Sequence, residues 1–259
     1  MVLDAPYGLR EFRGAPDTLA APPLVGSSRS ARRDGSTALT REEMLDQLAN
    51  RLMTLQLQHP VRVAIDGVDA AGKTTLADEL AALLIQHGRP VIRASIDGFH
   101  RPSAERHRQG ANSPQGYYAD SFDYDTLRSN LLQPLGPHGS LRFRRAIFDY
   151  RTDRPSMTEE EVAPEDAILL LDGVFLLRPE INDQWDYRIF VEVPFAVTVE
   201  RTILRDTDLF GSAEATRARY QKRYIPGQQI YLKSVDPLRH AQATVHNEDP
   251  EHPTLTFPA

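Results

Sequence analysis

A three-layer α/β domain with a mainly parallel central sheet is the fold class this sequence predicts, on three observations. A strand, a glycine-bounded loop and a helix follow one another from residue 61, and a second strand completes a parallel unit by residue 97. Apolar runs of strand length then alternate with helical stretches as far as residue 246. The chain has 259 residues, 41% hydrophobic and 25% charged, so it can bury a sizeable core.

Residues 1–39 mix Pro6, Pro16, Pro22 and Pro23 with glycines and serines and show no apolar period, which predicts an extended or partly disordered leader. Asp4, Glu11, Asp17 and Asp34 break the acid-poor pattern of a transit peptide, and no secretory apolar core is present. Thr40 followed by Glu43 predicts a capped helix, which Met44, Leu45, Leu48, Leu52 and Leu55 carry to about residue 58. Residues 61–66 read as a strand. Residues 74–87 read as a helix ended by Gly88 and Pro90, and residues 91–96 as a second strand. Further on, residues 123–135 are expected to be helical, 141–148 strand-like, 167–171 a buried strand and 187–193 another. Helices are expected over 196–205 and 212–232, then a short strand over 243–246. The folded domain is thus expected over 40–247, with a tail over 248–259.

Charge and composition exclude several classes. With 30 basic against 36 acidic residues the net charge is −6, which leaves no broad cationic surface for nucleic acid or anionic lipid. No cysteine is present, so disulfide scaffolds, thiolate metal sites and cysteine nucleophiles are ruled out, and a cytoplasmic protein is expected. The strongly apolar run over 167–171 is far short of a membrane span, and no membrane partner is expected. The cluster Arg142, Arg144 and Arg145 reads as solvated surface. The sequence lacks H-E-x-x-H, G-x-S-x-G, a dinucleotide glycine fingerprint and a guanine-reading N-K-x-D.

The segment Gly67-Val-Asp-Ala-Ala-Gly72-Lys73-Thr74 fits G-x-x-x-x-G-K-[ST] between a strand and a helix. Glycines let such a loop fold back and aim its amides at one centre, to which the helix N-terminus adds positive potential. Polyphosphate fits that centre, and the fold class sharpens to a P-loop NTPase fold. The expected nucleotide-binding set is Gly67, Asp69, Ala70, Ala71, Gly72, Lys73, Thr74 and Thr75, with Thr74 as a Mg2+ ligand. Carboxylates near the metal and the incoming nucleophile belong at the carboxyl ends of parallel strands. Asp97 and Asp172 both qualify, although each precedes a glycine and could simply form a turn.

Asp97-Gly-Phe-His100, the P-loop before it and Asp172-Gly173 together resemble the uridine kinase family, within the wider group of pantothenate kinase and phosphoribulokinase. The resemblance spans about residues 61–235. It implies transfer of the γ-phosphate of ATP, or sometimes GTP, to a hydroxyl of a small metabolite, most closely a nucleoside 5′-hydroxyl. It further implies that Lys73 and Thr74 hold phosphate and Mg2+, that Asp97 is the base, and that Asp172 acts on Mg2+ through water where the family usually has glutamate. A helical lid is implied at about 201–225, with Arg205 catalytic and Arg201 one turn before it. The lid loop departs from the family, because residues 208–211 carry no arginine; Arg217, Arg219, Lys222 and Arg223 are the basic residues left to substitute.

For the acceptor, the resemblance implies Tyr118, Asp123, Phe148 and Arg151 beside Asp97. Asp123 lies in Ser121-Phe-Asp123-Tyr-Asp125, which is either the family's ribose-binding segment or a helix start. The 101–118 segment, with Arg106, His107, Arg108, Tyr117 and Tyr118, is long for a structureless loop. Phe148-Asp-Tyr-Arg151 resembles the family's base-pocket segment and departs after it, where the family's histidine has no match unless Asp153 takes its place, so pantothenate- and sugar-type acceptors stay open. So do a nucleotide-gated switch, an inactive relative, and assembly as a homo-oligomer.

Overall fold

The computed structural model describes residues 39–258; apart from Leu39, the leader expected from the sequence lies outside the described residues. Helix α1 (Arg41–Met53) opens with a reciprocal capping box, in which the Glu43 amide donates to Thr40 Oγ1 and the Thr40 amide to Glu43 Oε2. It stops five residues short of the expected end: Thr54 closes the last turn on Asn50, and Pro60 steers the chain into an extended entry to the sheet.

Six strands form the sheet: β1 (Val61–Gly67), β2 (Val91–Ser95), β3 (Ile168–Gly173), β4 (Tyr187–Glu192), β5 (Ala243–His246) and β6 (Thr254–Thr256). Their order is β6-β5-β4-β1-β3-β2, parallel except for β6. Alternate residues of the central strands feed two cores. Val63 and Ile65 of β1, with Ile168 and Leu170 of β3, meet Met44 and Leu48 of α1 and Leu76 and Leu80 of α2 (Lys73–Gln86). Ala64, Leu169 and Leu171 point the other way, into Phe122, Phe175, Tyr224 and Tyr231. Filling both sides stiffens β1, β3 and β2, whose carboxyl ends carry the P-loop, Asp172 and Asp97.

Three stretches differ from expectation. Residues 141–148 form no strand of the central sheet. Leu141 adopts a positive φ of 62°, and the chain makes only two-residue ladders, Arg142–Phe143 with Glu161–Val162 and Phe148–Asp149 with Arg154–Pro155. The second helical stretch is not one uniform helix. α5 (Ala213–Arg219) passes through a wide π-type turn, Tyr220–Tyr224, into α6 (Ile225–Val235). The tail expected over 248–259 supplies β6, an antiparallel edge strand paired with β5. The remaining longer helices are α3 (Pro114–Asp120) and α4 (Phe195–Phe210). Among the described residues, no helix is long and apolar enough to cross a membrane.

Candidate active site

The loop between β1 and α2 folds back as its motif requires. Ala70 has φ 55° and Gly72 φ 95°, both left-handed. Gly67 is fixed by space as well as by angle, since a Cβ there would stand 2.4 Å from the Val191 carbonyl oxygen of β4. Lys73, 7% exposed, donates its Nζ to the Val68 carbonyl at 2.7 Å, which bends the ammonium over the loop. Burial lowers the Lys73 pKa, and Asp69, Asp66 and Asp172 pull it back.

Asp172 ends β3 beside α2. Its Oδ2 accepts from Thr74 Oγ1 at 2.6 Å and its Oδ1 from Arg93 Nη2 at 3.0 Å. Among the described residues no group of three or more His, Cys, Asp or Glu side chains forms a metal site. A hydroxyl and one carboxylate instead make the sparse, hard-oxygen donor set that suits a Mg2+ ion held largely by substrate phosphates.

Asp97 sits in the turn Ile96–Phe99 at the end of β2, its side chain 15% exposed. Burial, then the like charges of Asp172 and Asp69, push its carboxyl up to about 8, against the pull of Lys73 and Arg205. His100 buttresses the turn: its Nδ1 lies 3.0 Å from the Asp97 carbonyl and 3.8 Å from Asp97 Oδ1, and its ring packs between Phe122 and Tyr150 at 4.5 and 4.8 Å. Arg205, on α4, hydrogen-bonds both oxygens of Asp206 at 2.7 and 2.8 Å, and its charge reaches Lys73, Asp69 and Asp97.

Lys73, Thr74, Asp97, Asp172 and Arg205, from four separate elements, therefore converge. Ala70 and Ala71 instead present carbonyls outward, to Arg201 and to the Asn247 amide. Arg201 also donates to the Asn247 and Glu248 carbonyls, so it braces the loop's outer side. Thr75 is exposed on the first turn of α2. The Asp69 amide is taken by Gln228 Oε1 at 2.8 Å, and its carboxylate accepts from Gln228 Nε2 and the Tyr117 hydroxyl.

Among the residues expected at the acceptor, Arg151 lies over the Tyr150 ring, and its charge interacts with Asp97. Phe148 is buried where the chain crosses the Asp97 turn, with the adjacent Ile147 amide donating to the Gly98 carbonyl. Asp123 caps the short helix Tyr124–Leu127, accepting from the Thr126 amide at 3.1 Å. Tyr118 packs on Phe175 under the Arg178 guanidinium, and its hydroxyl meets Ser234. Asp153 ties the 148–155 segment to the 101–106 segment by accepting from the Ser103 amide, Ser103 Oγ and Arg106. Of the later basic residues, Arg223 is buried, with its guanidinium 5.8 Å from the Tyr117 ring centre, whereas Arg217 pairs with Glu200 at the surface.

Sequence reasoning missed Asp66, Arg93, Gln228, Tyr231 and Asn247, and it placed Tyr117 in the acceptor segment, whereas its hydroxyl meets Asp69 of the P-loop. Tyr231 donates to buried Asp66, and Gln228 one turn earlier holds Asp69, so one face of α6 locks a carboxylate of β1 and one of the P-loop. The carboxylate closing the apolar strand at Asp66 was a usable signal; nothing in the tail marked Asn247.

Fold and site define a P-loop kinase acting on a small molecule. The chain belongs to the phosphoribulokinase/uridine kinase family, whose model matches residues 63–236. It is similar to uridine-cytidine kinase B of Dictyostelium discoideum, at 26% identity over 69% of this chain and 72% of that one. A uridine kinase of Latilactobacillus sakei is 23% identical over 73% of this chain and 82% of its own. Among solved structures, one described as a possible uridine kinase from Bacillus stearothermophilus superposes with TM-score 0.62 at 22% identity, over 78% of this chain and 97% of that one. Another, described as a candidate fructose transport system kinase from Silicibacter sp. TM1040, gives TM-score 0.63 at 26% identity, over 75% and 95%. The enzyme is accordingly an ATP-dependent small-molecule kinase.

Proposed function

We propose that this kinase moves the γ-phosphate of ATP to a hydroxyl of a polar metabolite, a nucleoside 5′-hydroxyl being the preferred acceptor. The observation carrying this reading is the placement of Asp97 among Asp172, Asp69, Lys73 and Arg205 at the carboxyl ends of neighbouring strands. Asp97 takes the hydroxyl proton, the oxygen bonds to the γ-phosphorus, and the bond to the β–γ bridging oxygen breaks to release ADP. Lys73, the remaining loop amides and Arg205 meet the charge that develops on the transferring group. Thr74, with Asp172 behind it, would hold a Mg2+ ion, which would further neutralise the phosphates. Relatives named uridine and uridine-cytidine kinases support the nucleoside acceptor.

One observation favours a second reading, a sugar-type acceptor. Asp153, the one residue offered as a substitute for the family's histidine, already has its oxygens taken by Ser103 and Arg106. The neighbour described as a candidate fructose transport system kinase points the same way. A product-identified screen across uridine, cytidine, other nucleosides, pantothenate and simple sugars tests both readings; ATP turnover that no acceptor stimulates contradicts both.

A further inference from the structure

The metal side of the proposed site holds a feature that phosphate binding does not require. Arg93 points from β2 towards α2, beside Leu170 in the parallel register, and all three of its guanidinium nitrogens are engaged. Nε donates to Asp78 Oδ1 at 3.0 Å, Nη1 to the Leu170 and Ala94 carbonyls at 2.7 and 3.2 Å, and Nη2 to Asp172 Oδ1 at 3.0 Å. The Arg93 side chain is 22% exposed and that of Asp172 5%. The clamp is thus held at several points and grips a carboxylate shielded from water. One Asp172 oxygen is engaged by the Arg93 guanidinium, and the other, Oδ2, is the one beside Thr74 Oγ1 at the start of α2.

We propose that Arg93 is a positioning residue that restricts Asp172 to a single available oxygen and thereby makes the site select Mg2+ over Ca2+. Mg2+ keeps a compact octahedral shell with several waters and is satisfied by one oxygen or a water-mediated contact. Ca2+ gains from a carboxylate that swings in with both oxygens, which the Arg93 hydrogen bond forbids. The guanidinium also places a fixed positive charge behind the carboxylate, so the clamp limits how much negative charge Asp172 can offer any cation.

The inference rests on the kinase reading, with Thr74 and Asp172 on its metal side. The test is isothermal titration of the full chain with the non-hydrolysable analogue AMP-PNP in Mg2+, in Ca2+ and in EDTA, for wild type, Arg93→Met and Arg93→Lys. In Arg93→Met the affinity in Ca2+ relative to Mg2+ rises about tenfold, as second-shell changes commonly produce, while affinity in EDTA stays at the wild-type value. Arg93→Lys, which keeps a donor and a charge, stays near the wild-type ratio. Arg93→Gln is the replacement should the methionine variant fail to fold. An unchanged ratio in the methionine or glutamine variant overturns the inference, as does an equal loss in EDTA. If neither cation strengthens AMP-PNP binding to wild type, the metal reading of Thr74 and Asp172 fails, and the inference with it.

Discussion

Gln228 closes a ring of two hydrogen bonds on Asp69: its Oε1 accepts the Asp69 amide at 2.8 Å and its Nε2 donates to Asp69 Oδ2 at 2.8 Å. The pair joins the P-loop to α6 across 159 residues and turns one loop amide away from the phosphate position. With Tyr231 on Asp66, it makes α6 a brace behind the P-loop and the strand that leads into it.

Gln228→Leu leaves a buried amide and a buried carboxylate short of a partner, a loss of about 1–3 kcal/mol for each unsatisfied group. The expected outcome is a lower Tm together with weaker ATP binding. Calorimetry and titration on the same sample check it; lower stability with ATP affinity intact would confine Gln228 to folding.

Gly67→Ala strikes the site through space. Its Cβ would fall 2.4 Å from the backbone oxygen of Val191, on a residue whose φ is 154°. Backbone cannot yield as a side-chain tip can, so the variant is expected to lose ATP binding and several degrees of Tm. Wild-type titration curves would mean that β4 moves freely against the P-loop.

The pH dependence follows from three buried carboxyls. Burial is the first cause of all three upward shifts, holding Asp97 at about 8 and Asp66 and Asp69 at about 6, against 3.8 ordinarily. The native state therefore keeps protons that the unfolded chain has released. This stabilisation is fully present below about pH 4 and is lost as pH rises, through 6 for Asp66 and Asp69 and through 8 for Asp97. Thermal unfolding of the unliganded protein should show Tm falling across that window, and Asp97→Asn should flatten the stretch between pH 6 and 8. The groups facing Asp97 are Asp172, Asp69, Lys73, Arg205, His100, Tyr150 and Arg151. With Asp97 as the proposed base, turnover should rise with pH through a midpoint near 8 and level off above it.

Arg205 is held ready by Asp206, itself 2% exposed and also hydrogen-bonded by the Tyr220 hydroxyl at 2.8 Å. Arg205→Ala should lower kcat more than it raises KM for the acceptor, because its charge matters most as the phosphoryl group transfers. Steady-state kinetics with the acceptor varied checks this; a change confined to KM would make Arg205 a ground-state binding residue.

The chemistry-bearing ends of the central strands were legible in the sequence because each signal was local. The P-loop spacing, Asp97 after one strand and Asp172 after another, and the Thr40–Glu43 cap can all be read within a few residues. What could not be read depends on contacts between distant segments. Gln228 and Tyr231 look like ordinary helix residues until α6 is laid on the P-loop. Arg93 looks like a strand surface charge until β3 brings Asp172 beside it. Residues 141–148 carry a strand-like composition, yet Leu141 turns left-handed and the segment folds over the Asp97 turn instead of joining the sheet.

The most direct measurement compares wild type and Asp97→Asn in an acceptor-dependent phosphorylation assay with the product identified by mass spectrometry, ATP affinity being titrated on the same preparations. The account predicts a phosphorylated hydroxyl product from wild type, a loss of about 100-fold or more in the variant, and ATP affinity little changed. Undiminished phosphorylation by Asp97→Asn, or a loss of ATP binding equal to the loss of turnover, would contradict it.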